Sequence, residues 1–178
     1  METYRLIRHD SFAPKHITGV SVRWSQLPDG RVMLRYRVEG CTTLVVPPPR
    51  EAGRADELWK TTCCELFLYD GAGTYREYNF SPSGEWAAWR FSGYRNGRED
   101  IDPVAEPEIL AETGNNLFLL TVFLAGEELR AAQSAALSAV MLEEDRRPSY
   151  WALVHSKLQP DFHDPSCFRI QLGAAALP

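Results

Sequence analysis

Two glutamates stand out for the chemistry they can share. Glu65 lies in the run "CCELFLY" and Glu77 in "TYREYNFS". An ionisable side chain among residues otherwise apolar must be exposed, paired or functional. Two carboxylates about 5–9 Å apart can run glycoside hydrolysis. That chemistry also needs an apolar surround that raises one of the two pKa values. Asn79 and Tyr75 share the alternation of Glu77, and Arg90 in "GEWAAWRFSGYR" is a cation able to neutralise a glutamate. If the three segments form a meander, Glu65, Glu77, Asn79, Trp86 and Arg90 are expected on one surface. The alternative is a cross-strand ion pair on a solvated face, worth about 0–1 kcal/mol. Both readings stand at this level.

Flat rings are the second resource. Five tryptophans occur in 178 residues, and their faces stack on sugar rings as readily as they fill a core. Trp59 follows a loop and precedes a strand, which suits a residue overhanging a site. Trp151 lies in "SYWALVH", where alternation groups it with Leu153 and His155. The segment "HSKLQPDFHDPSC" adds His155, Asp161, His163 and Asp164. Its spacing matches neither H-E-x-x-H nor a C2H2 site, and no G-x-S-x-G elbow accompanies it. Structural, ligand-contact and catalytic roles for His155, Asp161 and His163 all remain open.

The adjacent pair Cys63–Cys64 attracts attention first and carries the least. Neighbours in a strand point to opposite faces, so the two thiols cannot jointly chelate a metal or close an easy disulfide. Cys41 and Cys167 add no C-x-x-C spacing. No metal site and no resident cofactor are expected, and the thiols read as small buried hydrophobes. No G-x-G-x-x-G or P-loop supports nucleotide binding.

These residues need a scaffold, and period two supplies it. "RVMLRYRV" sends Val32, Leu34, Tyr36 and Val38 to one face and Arg31, Met33, Arg35 and Arg37 to the other, a half-buried strand. Pro28-Asp29-Gly30 reads as its hairpin turn. Further strands are expected over 3–8, 42–46, 63–70, 74–81, 85–92, 107–112, 116–124, 136–143, 149–155 and 167–172. In 63–70, Cys64, Leu66 and Leu68 face the core, with Cys63, Glu65, Phe67 and Tyr69 opposite. "AGEELRAAQSAALSAV" predicts a short helical turn around 127–132 and then a strand. "VVPPPREAGRADEL" reads as a long loop, because proline cannot donate to a ladder. Many short strands between turn signals predict one all-β sandwich or barrel domain over 1–178.

Composition narrows the function classes. Nineteen basic against 24 acidic residues give a net charge of −5, without the basic face of nucleic-acid binders. The first residues lack an apolar h-region and no run reaches the ~18 residues of a membrane span, so a cytoplasmic protein without a membrane partner is expected.

"RADELWKTTCCELFLYD", "YREYNFSPSGEWAAWRFSGYRNG" and "YWALVHSKLQPDFHDPSCF" together resemble the DOMON-like bacterial domains, related to family 9 carbohydrate-binding modules. The shared features are an LW-x-x-TC-x-E-L-F strand, an E-x-N-x-SPSG turn and a W-A-L-x-H…P-D-F-H segment, at Leu58–Phe67, Glu77–Gly84 and Trp151–His163. The resemblance implies a β-sandwich of jelly-roll type with a ligand site on a sheet face or at the sandwich edge. It implies Trp59, Glu65, Asn79, Trp86, Arg90, Trp151 and His155 as ligand-site residues. Two positions depart from the pattern. Cys64 stands where a phenylalanine is expected, and His155-Ser156 replaces His-Pro.

The favoured expectation is a non-catalytic module for a small ligand, with a sugar as the leading candidate. Its alternatives are a haem or redox-cofactor domain using His155, His163, Met33 or Met141, a hydrolase using Glu65 and Glu77, and a protein-interaction module. Homo-oligomerisation stays open.

Overall fold

Alternating burial organises the chain. The computed structural model describes residues 1–173. Its strands are β1 (Glu2–Arg8), β2 (Gly19–Gln26), β3 (Arg31–Glu39), β4 (Gly53–Arg54), β5 (Cys63–Gly71), β6 (Thr74–Phe80) and β7 (Glu85–Phe91). They continue with β8 (Glu99–Asp100), β9 (Glu108–Thr113), β10 (Leu117–Ala125), β11 (Ser134–Leu142), β12 (Pro148–Ala152) and β13 (Ile170–Gln171). The predicted all-β class is what the structure has. Its helical content is three 3₁₀ turns among the described residues, one of them Gly126–Leu129 within the expected short helical stretch.

The strands form one curled sheet in the order β4-β7-β6-β5-β11-β12-β1-β2-β3-β10-β9. β1 is the corner. Its residues Glu2 to Leu6 pair with β2, whereas Ile7 and Arg8 pair with β12. The sheet thus has two arms, β1-β2-β3-β10-β9 and β4-β7-β6-β5-β11-β12. Their inner faces share one core, with Val22, Leu34, Tyr36 and Leu120 from the first arm and Cys64, Leu66, Tyr78 and Leu137 from the second. The Tyr36 hydroxyl crosses that core and donates to the Glu65 carbonyl at 2.6 Å. A buried phenol needs such a partner, and this one ties the arms together at the strand that carries Glu65.

The second arm is buried on its outer face too. Phe67, Tyr75, Trp89 and Phe91 point outward from β5, β6 and β7 and meet Leu58, Phe162 and Phe168 from the flanking loops in a separate apolar cluster. Its central strand β5 accordingly reads as a nearly continuous buried run. The expected alternation of β5 holds, with Cys64, Leu66 and Leu68 on the inner side. The expected strand over 42–46 does not form. Leu44 makes a lone bridge to Glu143 after a turn in which its N–H bonds the Cys41 carbonyl at 3.1 Å. Prolines 47–49, which lack the N–H a ladder needs, follow at once.

Candidate functional site

The β5-β6-β7 meander sets the site. Antiparallel pairing places Glu65 opposite Asn79 and Glu77 opposite Phe67. On its other side Glu77 faces Trp89, and Asn79 faces Ala87. The outward face therefore carries Glu65, Phe67, Glu77, Asn79, Trp89 and Phe91 together. Over it opens a cleft of about 690 Å³. Glu65, Phe67, Glu77, Trp89, Phe91 and Val140 line its floor. Trp59, Arg95, Arg98, Phe12, Tyr150 and the 159–163 segment form its walls.

Each wall is held by specific bonds. The turn Leu58–Lys60 inserts Leu58 and leaves Trp59 51 % exposed at the cleft edge. Phe12 is carried by a segment whose neighbours are pinned. The His9 N–H bonds the Tyr150 carbonyl at 2.8 Å, and the Lys15 and His16 N–H groups bond the buried Glu143 carboxylate at 2.7 and 2.8 Å. Phe12 then meets Tyr150 edge-on at 5.0 Å. Beside it, with His9 Nε2 3.0 Å from the Lys157 carbonyl, Asp161 ties two loops together. It accepts from Arg95 at 2.9 Å and from Lys157 at 2.6 Å, and Tyr94 donates to it as well. Lys157 also reaches Asp164 at 3.0 Å, and Asp164 caps the turn Pro165–Cys167 through the Ser166 N–H.

His163 closes the inner end. Its Nδ1 is 2.8 Å from the Tyr75 hydroxyl, and its Nε2 lies 3.6 Å from a Glu77 oxygen. Its ring stands edge-on to Phe67 and Phe91, and Phe91 stacks on Tyr75 at 4.8 Å. Burial, reinforced by the Arg95 charge, lowers its pKa from 6.5 to about 4, so the imidazole is neutral.

Both carboxyls are pushed the other way. Burial, then the charge of Glu77, raises Glu65 from 4.5 to about 8. The Ser138 hydroxyl, donating to it at 2.9 Å, offsets part of that rise. Burial raises Glu77 to about 7 against the opposing pull of Asn79, Arg95 and Arg98. Near neutral pH the pair holds at least one proton, so it offers the floor both donors and acceptors. Two further polar groups are buried here without partners. Among the described residues the Trp89 indole N–H has none, and neither atom of the Asn79 amide has one in good geometry, although Asn79 is close enough to favour the ionised form of Glu77. Buried polar groups are normally bonded, so these orphans, one of them on the cleft-lining Trp89, set this end of the sheet face apart.

Of the residues expected at a ligand site, the structure brings Trp59 and Glu65 to the cleft. Asn79 shares the face of Glu65 but is fully buried. Trp86 is on the other side of the sheet, opposite Phe80, with its indole N–H bonded to Glu106 at 3.0 Å and Arg54 stacked over its ring. Arg90 lies on that same side, opposite Arg76 and Glu99, exposed near the strand end. Trp151 pairs with Ala139 on the inner side and donates to Ser149 at 2.9 Å. His155 stands behind the cleft wall, in contact with the Ile7 carbonyl at 2.9 Å and packed against His9 and Phe162. The expected single surface of Glu65, Glu77, Asn79, Trp86 and Arg90 is thus corrected. The glutamates and Asn79 share it with Trp89 and Phe91 instead, because the register seats Phe80, not Asn79, opposite Trp86.

The candidate haem ligands do not converge. His163 is in the cleft, Met141 in the core between the arms, and Met33 on the outer side of the first arm. Among the described residues no group of three or more metal-ligating side chains occurs. Within the same residues no helix is long and apolar enough to cross a membrane.

No protein-family model matches the chain, and no curated protein matches it by sequence. Among solved structures, a putative carbohydrate-binding protein from Bacteroides uniformis is similar in fold. The TM-score is 0.68 at 15 % sequence identity, over 94 % of this chain and 84 % of that one.

Proposed function

We propose that this chain is a non-catalytic β-sandwich module of the DOMON-like, jelly-roll kind, and that its cleft binds a small polar ring, a carbohydrate. The observation that carries this reading is the floor of the cleft. Paired carboxyls and, among the described residues, an unpartnered indole N–H sit among the rings of Phe67, Trp89, Phe91 and Tyr150. Sugar recognition asks for that combination: flat apolar surface for the ring and polar groups at fixed positions for its hydroxyls. The fold likeness to the Bacteroides uniformis protein supports the same class. In this reading Trp59, Glu65, Glu77, Trp89 and Tyr150 contact the ligand, and Asn79 backs the two carboxyls from within the sheet.

The test is calorimetric titration and thermal shift against a panel of mono- and oligosaccharides, with Trp89→Phe as control. Stabilisation by at least one saccharide, weakened in Trp89→Phe, is the expected result. A flat response across the panel would remove the sugar reading. The carboxylate pair also has the makings of an acid and a base for glycoside cleavage. The same panel is therefore followed for new reducing ends, and turnover lost in Glu65→Gln would replace binding by hydrolysis.

A further inference from the structure

The floor of the cleft holds two acids that the arginines at its mouth act on through space without bonding. Glu65 is 3 % exposed and Glu77 7 % exposed. Glu65 has one hydrogen bond, from the neutral Ser138 hydroxyl. Glu77 has the uncharged Asn79 amide beside it and His163 Nε2 at 3.6 Å, itself neutral. Neither carboxylate makes an ion pair with lysine or arginine among the described residues. Buried acids are ordinarily paired, and here the unfilled side of the pair opens on the cleft. Around that opening stand Phe67, Trp89, Phe91 and Tyr150, rings whose faces attract a cation.

A second, independent group limits what the cation can be attached to. Among the described residues the buried Trp89 indole N–H has no acceptor. An indole donates only, and an ammonium cannot accept, so an oxygen on the occupant is the group that would suit it. Resting on the reading of the cleft as a sugar site, we propose that its ligand is a saccharide carrying a protonated amine. The ammonium lies between Glu65 and Glu77, and a hydroxyl or ring oxygen accepts from Trp89.

The arginines at the mouth favour the opposite charge, and magnitudes decide between them. Arg95 is committed to Asp161 at 2.9 Å with half its side chain in water. Arg98 is exposed and lies over the Trp89 ring at 5.6 Å. Charges in water are screened over about 8–10 Å, whereas the floor is not. The buried acids therefore set the sign of the ligand group that goes deepest. They also make binding visible to protons. The carboxyls keep a proton in the empty cleft, and an arriving ammonium expels it.

Calorimetry at neutral pH with D-glucosamine, N-acetyl-D-glucosamine, D-glucose and D-glucuronate tests this. Glucosamine is expected to bind at least about tenfold more tightly than the other three, the ratio that one charge-assisted hydrogen bond supplies. Its titration releases protons in buffers of differing ionisation heat. Glu77→Gln and Glu65→Gln, each checked for a folded melting transition, bring the ratio towards one. Equal affinity for glucosamine and glucose, or preference for glucuronate, overturns the proposal while leaving the sugar reading intact. Failure of every saccharide to bind removes the sugar reading and this proposal with it.

Discussion

Glu65 and Glu77 are diagonal neighbours across the β5–β6 ladder, Glu65 opposite Asn79 and Glu77 opposite Phe67. Diagonal partners have backbones about 7–8 Å apart, within reach of two glutamate side chains on one face. Burial and mutual repulsion then keep them from ionising together. This relationship has a consequence for stability. Both pKa values are raised in the folded state, from 4.5 to about 8 and about 7. The unfolded chain sheds these protons at lower pH than the native one. Their contribution is complete below about pH 4.5 and is lost as pH climbs through 7 and 8. Glu65→Gln and Glu77→Gln are expected to flatten the fall in stability between about pH 5 and about pH 9. Urea denaturation across that range checks it. His163, lowered to about 4, costs stability as pH falls below 6.5, and this part of the profile is expected to persist in both variants. Parallel profiles for wild type and glutamine variants would exclude the raised carboxyls.

Trp59 and Trp89 line one cleft but differ in what supports them. Trp59 is 51 % exposed, whereas Trp89 is 5 % exposed within the outer apolar cluster. Truncating Trp59 to alanine is expected to change stability by less than about 0.5 kcal/mol, as for other surface positions. Trp89→Ala is expected to cost about 3–5 kcal/mol through its cavity. Where a saccharide binds, Trp59→Ala lowers its affinity by about tenfold without moving the melting temperature. A large loss of stability in Trp59→Ala would mean that its ring is part of the packing.

Much of this cleft was legible from alternation, and its limits are physical. Parity within β5 assigned Cys64, Leu66 and Leu68 to the core and Glu65 to the other face, and parity within β6 grouped Glu77 with Asn79 and Tyr75. Parity does not carry across a turn. The loop through Ser81 and Gly84, the latter at φ +95°, sets which residue of β7 meets Asn79. A one-residue difference in that register exchanges Trp86 and Arg90 for Trp89 and Phe91. Trp151 and His155 were grouped by continuing an alternation that stops when β12 ends at Ala152. Phe12, Arg95, Arg98 and Phe162 come from loops, where no period announces direction. His163 stood in a suggestive segment, but its partners Tyr75 and Glu77 are more than eighty residues away and only the fold joins them.

The four thiols yield a simple expectation. All of Cys41, Cys63, Cys64 and Cys167 are free and buried. Burial, with added repulsion from Glu65, pushes Cys63 and Cys64 well above the usual thiol range, and burial raises Cys167 to about 11. Thiolate is the reactive form, so a disulfide reagent at pH 8 is expected to leave the native protein almost unlabelled and to label all four after denaturation. Cys41, at 7 % exposure the most accessible, reacts first. Rapid native labelling of Cys63 would show that the outer cluster opens easily, and of Cys64 that the core between the arms does, each against the packing of β5.

Asp161 braces the cleft wall next to the Phe12 segment, whose His9 ring contacts the Lys157 carbonyl. Its carboxylate joins Arg95 and Tyr94 on one loop to Lys157 on another. Burial works against its ionisation, yet the hydrogen bonds from Lys157, Tyr94 and Arg95 outweigh it and lower its pKa. Asp161→Asn keeps the shape and removes the charge that both cations share. The wall then retains its apolar anchors Phe162 and Phe168 but loses its link to the Arg95 loop. Amide exchange is therefore expected to accelerate over 155–164 and 93–98, with β5 and β6 unchanged, because loops open locally while core strands exchange only on global unfolding. The single-site cost to global stability is about 1–2 kcal/mol, the range for charge-assisted bonds that retain solvent access. Exchange unchanged in both loops would mean that Phe162 packing and the contact of His9 with the Lys157 carbonyl set the cleft wall, and that the Asp161 ion pairs are bystanders to its shape.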